Sequence, residues 1–393
     1  MRICHVTCHL PPDQAANALL PVHLGRWARE AGDEPCYVAH PPRAIAGRGP
    51  SALQQVEQEL PGPVTWVEAR PKARRIPGIL QASSLIELLR IRRAAGADLR
   101  KADVVHLHSN GLLPEASGLL AQRLRKPVLL TLYGTEIWHY TPRRFGVDLF
   151  TRAYASASHV TFYSRGLMDR ALELGLSRDR MTVVYPPVAE YFSRVDEPAR
   201  QQARASLELR ERNVLLNVKR LHPLAGQRHL LDAMPAILGA HPDTRLVICG
   251  TGLLLDELSA RAASLGISSS VTFAGLVDNR TIARYQEAAD LFVLPSELEA
   301  CPTVALEALA SGTPVVSTDN PGGVELGLLF GDDVQVVPRG NPPALAAAVT
   351  GFLSRKFRTA ASTDGVLSDH FRPRAVAARF HGIYREILAA SRS

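Results

Sequence analysis

Lysine is scarce in this chain: only five of the 45 basic side chains are lysine, and the rest are arginine. The arginines run from end to end, with no basic helix, no aromatic residues interleaved among basic ones and no recognisable nucleic-acid motif. The formal net charge of +7 therefore does not predict a nucleic-acid partner. Genomic codon bias accounts for part of the arginine excess, and a positive surface still attracts anionic lipids, phosphorylated acceptors or nucleotide sugars. Cysteine is sparse too. Cys4, Cys8, Cys36, Cys249 and Cys301 are odd in number, scattered and mostly in apolar strand contexts. That pattern excludes a disulfide or zinc framework and predicts small core residues in a reducing compartment. No apolar run approaches the ~18 residues of a membrane span. The first seven residues lead straight into a strand pattern, so no secretory leader and a cytoplasmic protein are expected.

What is present is a globular composition, 46% hydrophobic, on a chain of 393 residues. This length fits two domains of roughly 200 residues or fewer each. Strand and helix patterns alternate almost throughout, which predicts parallel sheets wrapped by helices. Strands are expected at 2–7, 36–39, 64–68, 104–108, 128–132, 160–163 and 182–185. A second series is expected at 214–218, 246–249, 271–273, 291–294, 315–317 and 334–337, with helices near 227–238, 253–265, 280–288 and 343–353. The polar stretch 191–212 reads as the connection between domains 1–190 and 213–370. The last segment, 373–390, carries Val376, Phe380, Ile383, Tyr384, Ile387 and Leu388 at helical spacing.

The chemistry concentrates at Glu299 and Glu307, eight positions apart. The apolar run 291–294 ends at Pro295 as a buried parallel strand should. Pro302 suits the first turn of a helix, and Gly312 is placed to stop it before Pro314-Val315-Val316 opens the next strand. Glu299 then lies in the loop beyond a strand and Glu307 one to two turns into the following helix. Between them are the free N–H groups of that helix, including those of Thr303 and Val304, a seat for a phosphate. An anion flanked by two hydroxyl-binding carboxylates is what a nucleotide sugar requires.

With Pro295-Ser296 before the pair, Gly312-Thr313-Pro314-Val315-Val316 after it and a Gly322-Gly323-Val324-Glu325 loop beyond, the stretch resembles the Glu-x7-Glu motif of the family-4 retaining glycosyltransferases. That resemblance implies the α/β GT-B fold, two Rossmann-like doubly wound domains facing across a cleft. It places the acceptor side in 1–190, the nucleotide-sugar side in 213–370 and the terminal helix 373–390 back on the first domain. It also implies no cofactor and no divalent metal. Glu307 is expected on the ribose hydroxyls, Glu299 on the donor sugar, and Arg220, in Lys219-Arg220-Leu221, on the diphosphate, which a planar guanidinium can hold bidentately.

The chain departs from the family pattern at several points. Ala225 stands where a phosphate-binding lysine is usual, so either Lys219, His222 or Arg228 supplies the charge or the diphosphate is held more weakly. Tyr133, in Leu132-Tyr133-Gly134-Thr135-Glu136, occupies the position of a histidine that faces the donor hexose; it can hydrogen-bond a sugar or phosphate but is a poor base near pH 7. Gly250-Thr251-Gly252 reads either as a nucleotide contact or as a tight turn. Leu276-Val277 fall where the family packs the base. His106 and His108 alternate on one strand with no third ligand at recognisable spacing, so a cleft or core role is expected rather than a metal. On the acceptor side stand His108, His139 and Asn17, the last in a loop where Ala15-Ala16 replace a glycine pair. Arg70, Lys72, Arg74 and Arg75, ahead of Leu85, Ile86, Leu88, Leu89 and Ile91, form a basic amphipathic stretch that either docks on an anionic membrane or packs on the sheet.

The function expected is transfer of a hexose or related sugar from a UDP- or GDP-linked donor to a sugar, lipid-linked or small-molecule acceptor, with retention. The protein is expected in the cytoplasm, with peripheral contact at the inner face of the membrane as an option. The alternative is a GT-B-shaped regulatory subunit that binds a nucleotide sugar without turnover, motivated by Ala225 and Tyr133.

Overall fold

The structure, a computed structural model, describes residues 1–13, 16–46, 49–68, 82–141, 148–176, 180–355 and 357–392. The chain divides into two compact units, Met1–Tyr185 with Val376–Ser393, and Pro186–Ala375.

The first unit holds strands β1 (Arg2–Thr7), β2 (Glu34–Ala39), β3 (Val64–Trp66), β4 (Val104–His108), β5 (Val128–Leu132), β6 (His159–Phe162) and β7 (Met181–Val183). They form one sheet in the order β3-β2-β1-β4-β5-β6-β7, every pairing parallel. Every residue of β4 and β5 is buried, as strands covered on both faces must be. Some strand ends fall a residue or two from the expected ones, yet the ladder continues past them: Val67 N–H donates to Ala39 O at 2.8 Å and Val184 N–H to Phe162 O at 2.9 Å. The helix Pro373–Ala390 buries Phe380, Ile383, Tyr384 and Ile387, all within the stretch that belongs to this unit from Val376 onward. Tyr384 Oη lies 2.7 Å from His106 Nδ1, and His381 Nε2 lies 2.6 Å from Asp33 Oδ2.

The second unit holds β8 (Asn213–Val218), β9 (Thr244–Cys249), β10 (Val271–Gly275), β11 (Leu291–Leu294), β12 (Val315–Thr318) and β13 (Val334–Val337). Their order is β10-β9-β8-β11-β12-β13, again all parallel. On one face the helices Gln227–Ala240 and Pro342–Arg355 bring Leu230, Met234 and Ile237 together with Leu345, Val349 and Phe352. Each such side chain contributes about 1.5–3 kcal/mol on removal from water.

The polar stretch expected to be a connection is instead part of the second unit. Asp196 caps the helix Glu197–Ser206 by accepting from Ala199 N–H at 2.9 Å. Arg200 and Arg204 then reach the two oxygens of Asp290, each at 2.5 Å. Composition misleads here because this helix docks through paired charges rather than through large apolar residues. The Gly322-Gly323-Val324-Glu325 stretch is likewise not a loop. It opens the helix Pro321–Phe330, capped by Asn320, whose side chain accepts from Gly323 N–H at 2.9 Å. Arg70, Lys72, Arg74 and Arg75 lie outside the described residues. In the helix that follows (Ala82–Lys101), Ile91 is buried while Ile86 and Leu89 are exposed.

Candidate active site

In a doubly wound sheet, ligands gather beyond the carboxyl ends of the strands where the strand order reverses. In the second unit that point lies between β8 and β11. Lys219 and Arg220 follow β8 directly, and the loop from Pro295 to Pro302 follows β11. The two sides meet in an ion pair, with Lys219 Nζ 2.5 Å from Glu299 Oε1, and Glu299 is 8% exposed. Glycines allow this close approach. A Cβ on Gly250 would fall 2.1 Å from Lys219 O, and one on Gly252 would fall 2.2 Å from Leu221 O. Gly250 also has φ +143, where side chains are disfavoured. Gly250 and Gly252 therefore fix the backbone on either side of Arg220. Gly322 serves the other side: its N–H donates to Glu299 O at 3.0 Å, and a Cβ there would crowd Pro302 and Glu299.

Arg220 is exposed, and its guanidinium has no partner among the described residues. Its carbonyl is held by Gln227 Nε2 at 3.2 Å. The helix Thr303–Ala310 starts just after Pro302, which is its cap residue rather than part of its first turn, and no side chain caps it. Ala305 N–H donates to Pro302 O, but the N–H groups of Thr303 and Val304 have no protein acceptor among the described residues. Glu307 sits in the middle of this helix, its carboxyl has no hydrogen bond or ion pair among the described residues, and burial pushes that carboxyl up to about 8. Tyr191 is close enough for the Glu307 charge to add to the burial that raises its phenol. Cys301 is raised well above its ordinary value by burial and by the charges of Glu325 and Glu299.

Ala225 is 2% exposed, in a turn at Pro223–Ala225. Of the three groups considered in its place, His222 accepts from Leu224 N–H, and Arg228 faces Glu257 at 3.7 Å on the surface. Lys219 stands at the switch point, paired with Glu299. Leu276, following β10, is 83% exposed.

In the first unit the order reverses between β1 and β4. His106 and His108 do face one side, and the structure adds His5 from β1, which lies opposite His106 in the strand pairing. The three offer nitrogens within 4.8 Å of one another. His5 and His108 are hydrogen-bonded to each other, while His106 is bonded to other partners. His106 uses one nitrogen on Tyr384 and the other on Thr131 Oγ1 at 2.6 Å. His108 uses one on His5 Nδ1 at 3.0 Å and the other on Tyr133 Oη at 2.7 Å. The His106 and His108 rings lie with centroids 3.8 Å apart. Burial holds all three basicities down, His5 to about 3.

Tyr133 is placed by Glu136, whose carboxylate accepts from Tyr133 N–H at 2.6 Å and Gly134 N–H at 3.0 Å. Burial raises its phenol well above the ordinary value. His139 is exposed. Asn17 begins the helix Ala16–Glu30, and its carbonyl accepts from Thr7 Oγ1 at 2.8 Å. Sequence reasoning missed His5, Glu136, and a pairing of His9 with Asp13. The alternation of His5 with Ile3 and Thr7 along β1 gave no hint of its partner on a strand a hundred positions away.

Two α/β units with parallel Rossmann-like sheets define a GT-B protein. The Anabaena protein HepE, solved in complex with UDP, superposes with a TM-score of 0.77 over 98% of this chain and 100% of its own, at 19% identity. The family model for glycosyl transferases group 1 matches residues 199–364, and that for the glycosyl transferase 4-like domain matches residues 22–187. A GDP-mannose-dependent alpha-(1-6)-phosphatidylinositol monomannoside mannosyltransferase of Mycolicibacterium smegmatis is 30% identical over 269 residues, covering 65% of this chain and 68% of its own. An uncharacterised glycosyltransferase of Methanocaldococcus jannaschii is 29% identical over 264 residues, covering 65% and 67%. The chain belongs to the group 1, family-4-like glycosyltransferases.

Proposed function

We propose that this glycosyltransferase moves a hexose or related sugar from a UDP- or GDP-linked donor to an acceptor hydroxyl, with retention and without a divalent metal. The observation that carries this reading is the grouping at the β8–β11 switch point. An unpartnered guanidinium (Arg220), an ammonium (Lys219) and the free N–H groups of Thr303 and Val304 stand beside two carboxylates, Glu299 and Glu307. Arg220, Lys219 and the helix start hold the departing diphosphate, and this fixed field supplies most of the rate. Glu299 takes donor-sugar hydroxyls once released by Lys219. Glu307, with its carboxyl near 8, is mostly neutral at pH 7 and can both donate to and accept from the ribose hydroxyls. Gly250 and Gly252 shape the backbone that presents Arg220. The GDP-mannose dependence of one relative and the UDP bound to HepE support both bases as candidates.

The first unit supplies the acceptor side, with His108, His139 and Asn17 as its polar groups, while Tyr133 faces the donor sugar. The acceptor is a sugar, a lipid-linked sugar or a small molecule. Among the described residues no helix is long and apolar enough to cross a membrane, and exposed Ile86 and Leu89 support peripheral contact with an anionic surface. The second reading, a binding subunit without turnover, draws on the buried Ala225 and on the Tyr133 hydroxyl being engaged by His108.

A thermal-shift screen of UDP, GDP, ADP and their sugar conjugates, followed by hydrolysis of the best donor, separates the two. Glu307→Ala is expected to abolish donor binding or turnover while the protein stays folded, and Arg220→Ala to depress mainly the turnover number. Unchanged kinetics in Glu307→Ala removes the Glu pair from the site. Tight donor binding with no turnover across an acceptor panel favours the binding subunit.

A further inference from the structure

The first sheet's switch point also holds a polar pair, His9 and Asp13. Leu10 is fully buried against Val22 and Tyr37 and anchors the loop after β1. Asp13 N–H closes back on Leu10 O at 3.1 Å, and this turn brings Asp13 beneath His9. His9 Nδ1 lies 3.0 Å from Asp13 Oδ2. The other oxygen, Oδ1, accepts from Ala44 N–H at 3.0 Å, so the carboxylate is pinned from two directions. His9 N–H in turn donates to Thr7 Oγ1 at 3.2 Å. The imidazole is thus fixed at its backbone and at Nδ1. Its side chain is 20% exposed, and Nε2 has no partner among the described residues.

Chemistry follows from the tautomer. A carboxylate accepts, so in the neutral imidazole Nδ1 carries the proton and Nε2 presents a lone pair. A lone pair at the carboxyl end of β1 seeks a donor. The neighbouring loop after β4 packs on Cys8: Cys8 Sγ lies 3.9 Å from Asn110 O, and a Cβ on Gly111 would come within 3.0 Å of Cys8 Sγ. Asn110 and Arg43 are exposed there, and the charges of Glu115 and Arg43 both reach Cys8. A lone pair accepts from a hydroxyl, whereas an ionised phosphate offers it no donor. The spot fits a hydroxyl, not a phosphate.

We infer that His9, oriented by Asp13, accepts a hydrogen bond from a hydroxyl of a neutral, polyhydroxylated acceptor in the first unit. This rests on the glycosyltransfer reading and deepens it by naming the residue that holds the acceptor. His9 touches the acceptor, whereas Asp13 is a positioning residue that acts through the tautomer.

The test uses the full chain with whichever UDP- or GDP-sugar it hydrolyses. The acceptor probes are methyl α-glucoside, methyl α-mannoside and myo-inositol, each with and without a phosphate. Transfer to a neutral probe is expected from the wild type. His9→Ala should raise the KM for that probe at least twentyfold, while UDP or GDP affinity measured without acceptor shifts less than twofold. Asp13→Asn should give a smaller rise, and nitrogen-15 spectra of its His9 should show the proton moved to Nε2. Three results overturn the inference: acceptor KM within threefold of wild type in His9→Ala, transfer confined to phosphorylated probes and lost on Arg43→Ala instead, or donor hydrolysis with transfer to none of the probes. Absence of any donor binding or hydrolysis in the wild type is a different failure, that of the glycosyltransfer reading itself. In that case a His9 proton found on Nε2 in the wild type still overturns the inference.

Discussion

Lys219 Nζ lies 2.5 Å from Glu299 Oε1, so the cation that ends β8 and the carboxylate beyond β11 neutralise each other across the second sheet's switch point. In the proposed reaction a diphosphate competes with Glu299 for Lys219, and donor binding is then an exchange of partners.

The first prediction concerns that exchange. Lys219→Met is expected to weaken UDP or GDP binding about tenfold to a hundredfold, as loss of a charge-assisted contact of about 1.5–3 kcal/mol would. UMP or GMP should be affected far less. Titration calorimetry decides it, and equal losses for monophosphate and diphosphate would take Lys219 off the diphosphate.

A second prediction follows from Glu307, whose carboxyl is raised by burial to about 8. Below about pH 4.5 folded and unfolded chains are both protonated there, and the group is neutral in its effect. Between that pH and about 8 the unfolded chain releases the proton and the folded chain keeps it, so stability falls as pH rises and levels off above 8. A tenfold change in proton affinity corresponds to about 1.4 kcal/mol, and with partial exposure the full effect is on the order of 2–4 kcal/mol. Glu307→Gln should therefore raise Tm progressively from pH 5 to pH 8.5. A Tm difference that does not change with pH would contradict this.

The histidines of the first unit give the opposite slope. His5, His106 and His108 are held neutral by burial, so the unfolded chain takes up protons before the folded chain does. The stability they lend is complete above about pH 6.5 and is lost as the pH falls below it. With three sites the slope reaches at most about 4 kcal/mol per pH unit. Denaturant unfolding between pH 7 and pH 5 should show it, and His5→Gln should reduce the slope by about a third. A wild-type stability that is flat over this window counts against the neutral histidines.

Gly252→Ala places a methyl group 2.2 Å from Leu221 O, beside Arg220. The backbone must move, at an expected cost of about 2–4 kcal/mol, and the guanidinium should move with it. Both Tm and nucleotide affinity should drop. A Gly252→Ala protein with wild-type affinity would show that this backbone does not position Arg220.

The strands of the described residues were legible in the sequence because most of them, covered on both faces, read as short, continuous apolar runs. The Glu299–Glu307 helix was legible for a local reason: strand end, cap and Gly312 stop lie within one stretch. What could not be read was pairing across the sheets. Nothing near Lys219 announces Glu299, eighty positions on, because their meeting depends on β11 lying beside β8. His5 and His106 meet for the same reason. The helix Glu197–Ser206 escaped because the carboxylate that holds Arg200 and Arg204 belongs to Asp290, far along the chain. The His9–Asp13 pair was hidden differently, since two prolines between its members disguise a compact turn as an extended linker.

The chain enters its second unit at Pro186 and leaves at Ala375, and the two passages are stitched together inside that unit. Val188 N–H donates to Phe371 O at 2.8 Å, and Arg372 Nη1 to Phe192 O at 2.8 Å. One uninterrupted stretch, closed at its base like a drawstring, thus carries Lys219, Arg220, Glu299 and Glu307. On the proposed function, such a cassette can be exchanged whole by recombination, letting a lineage retarget its activated sugar while the first unit is left untouched.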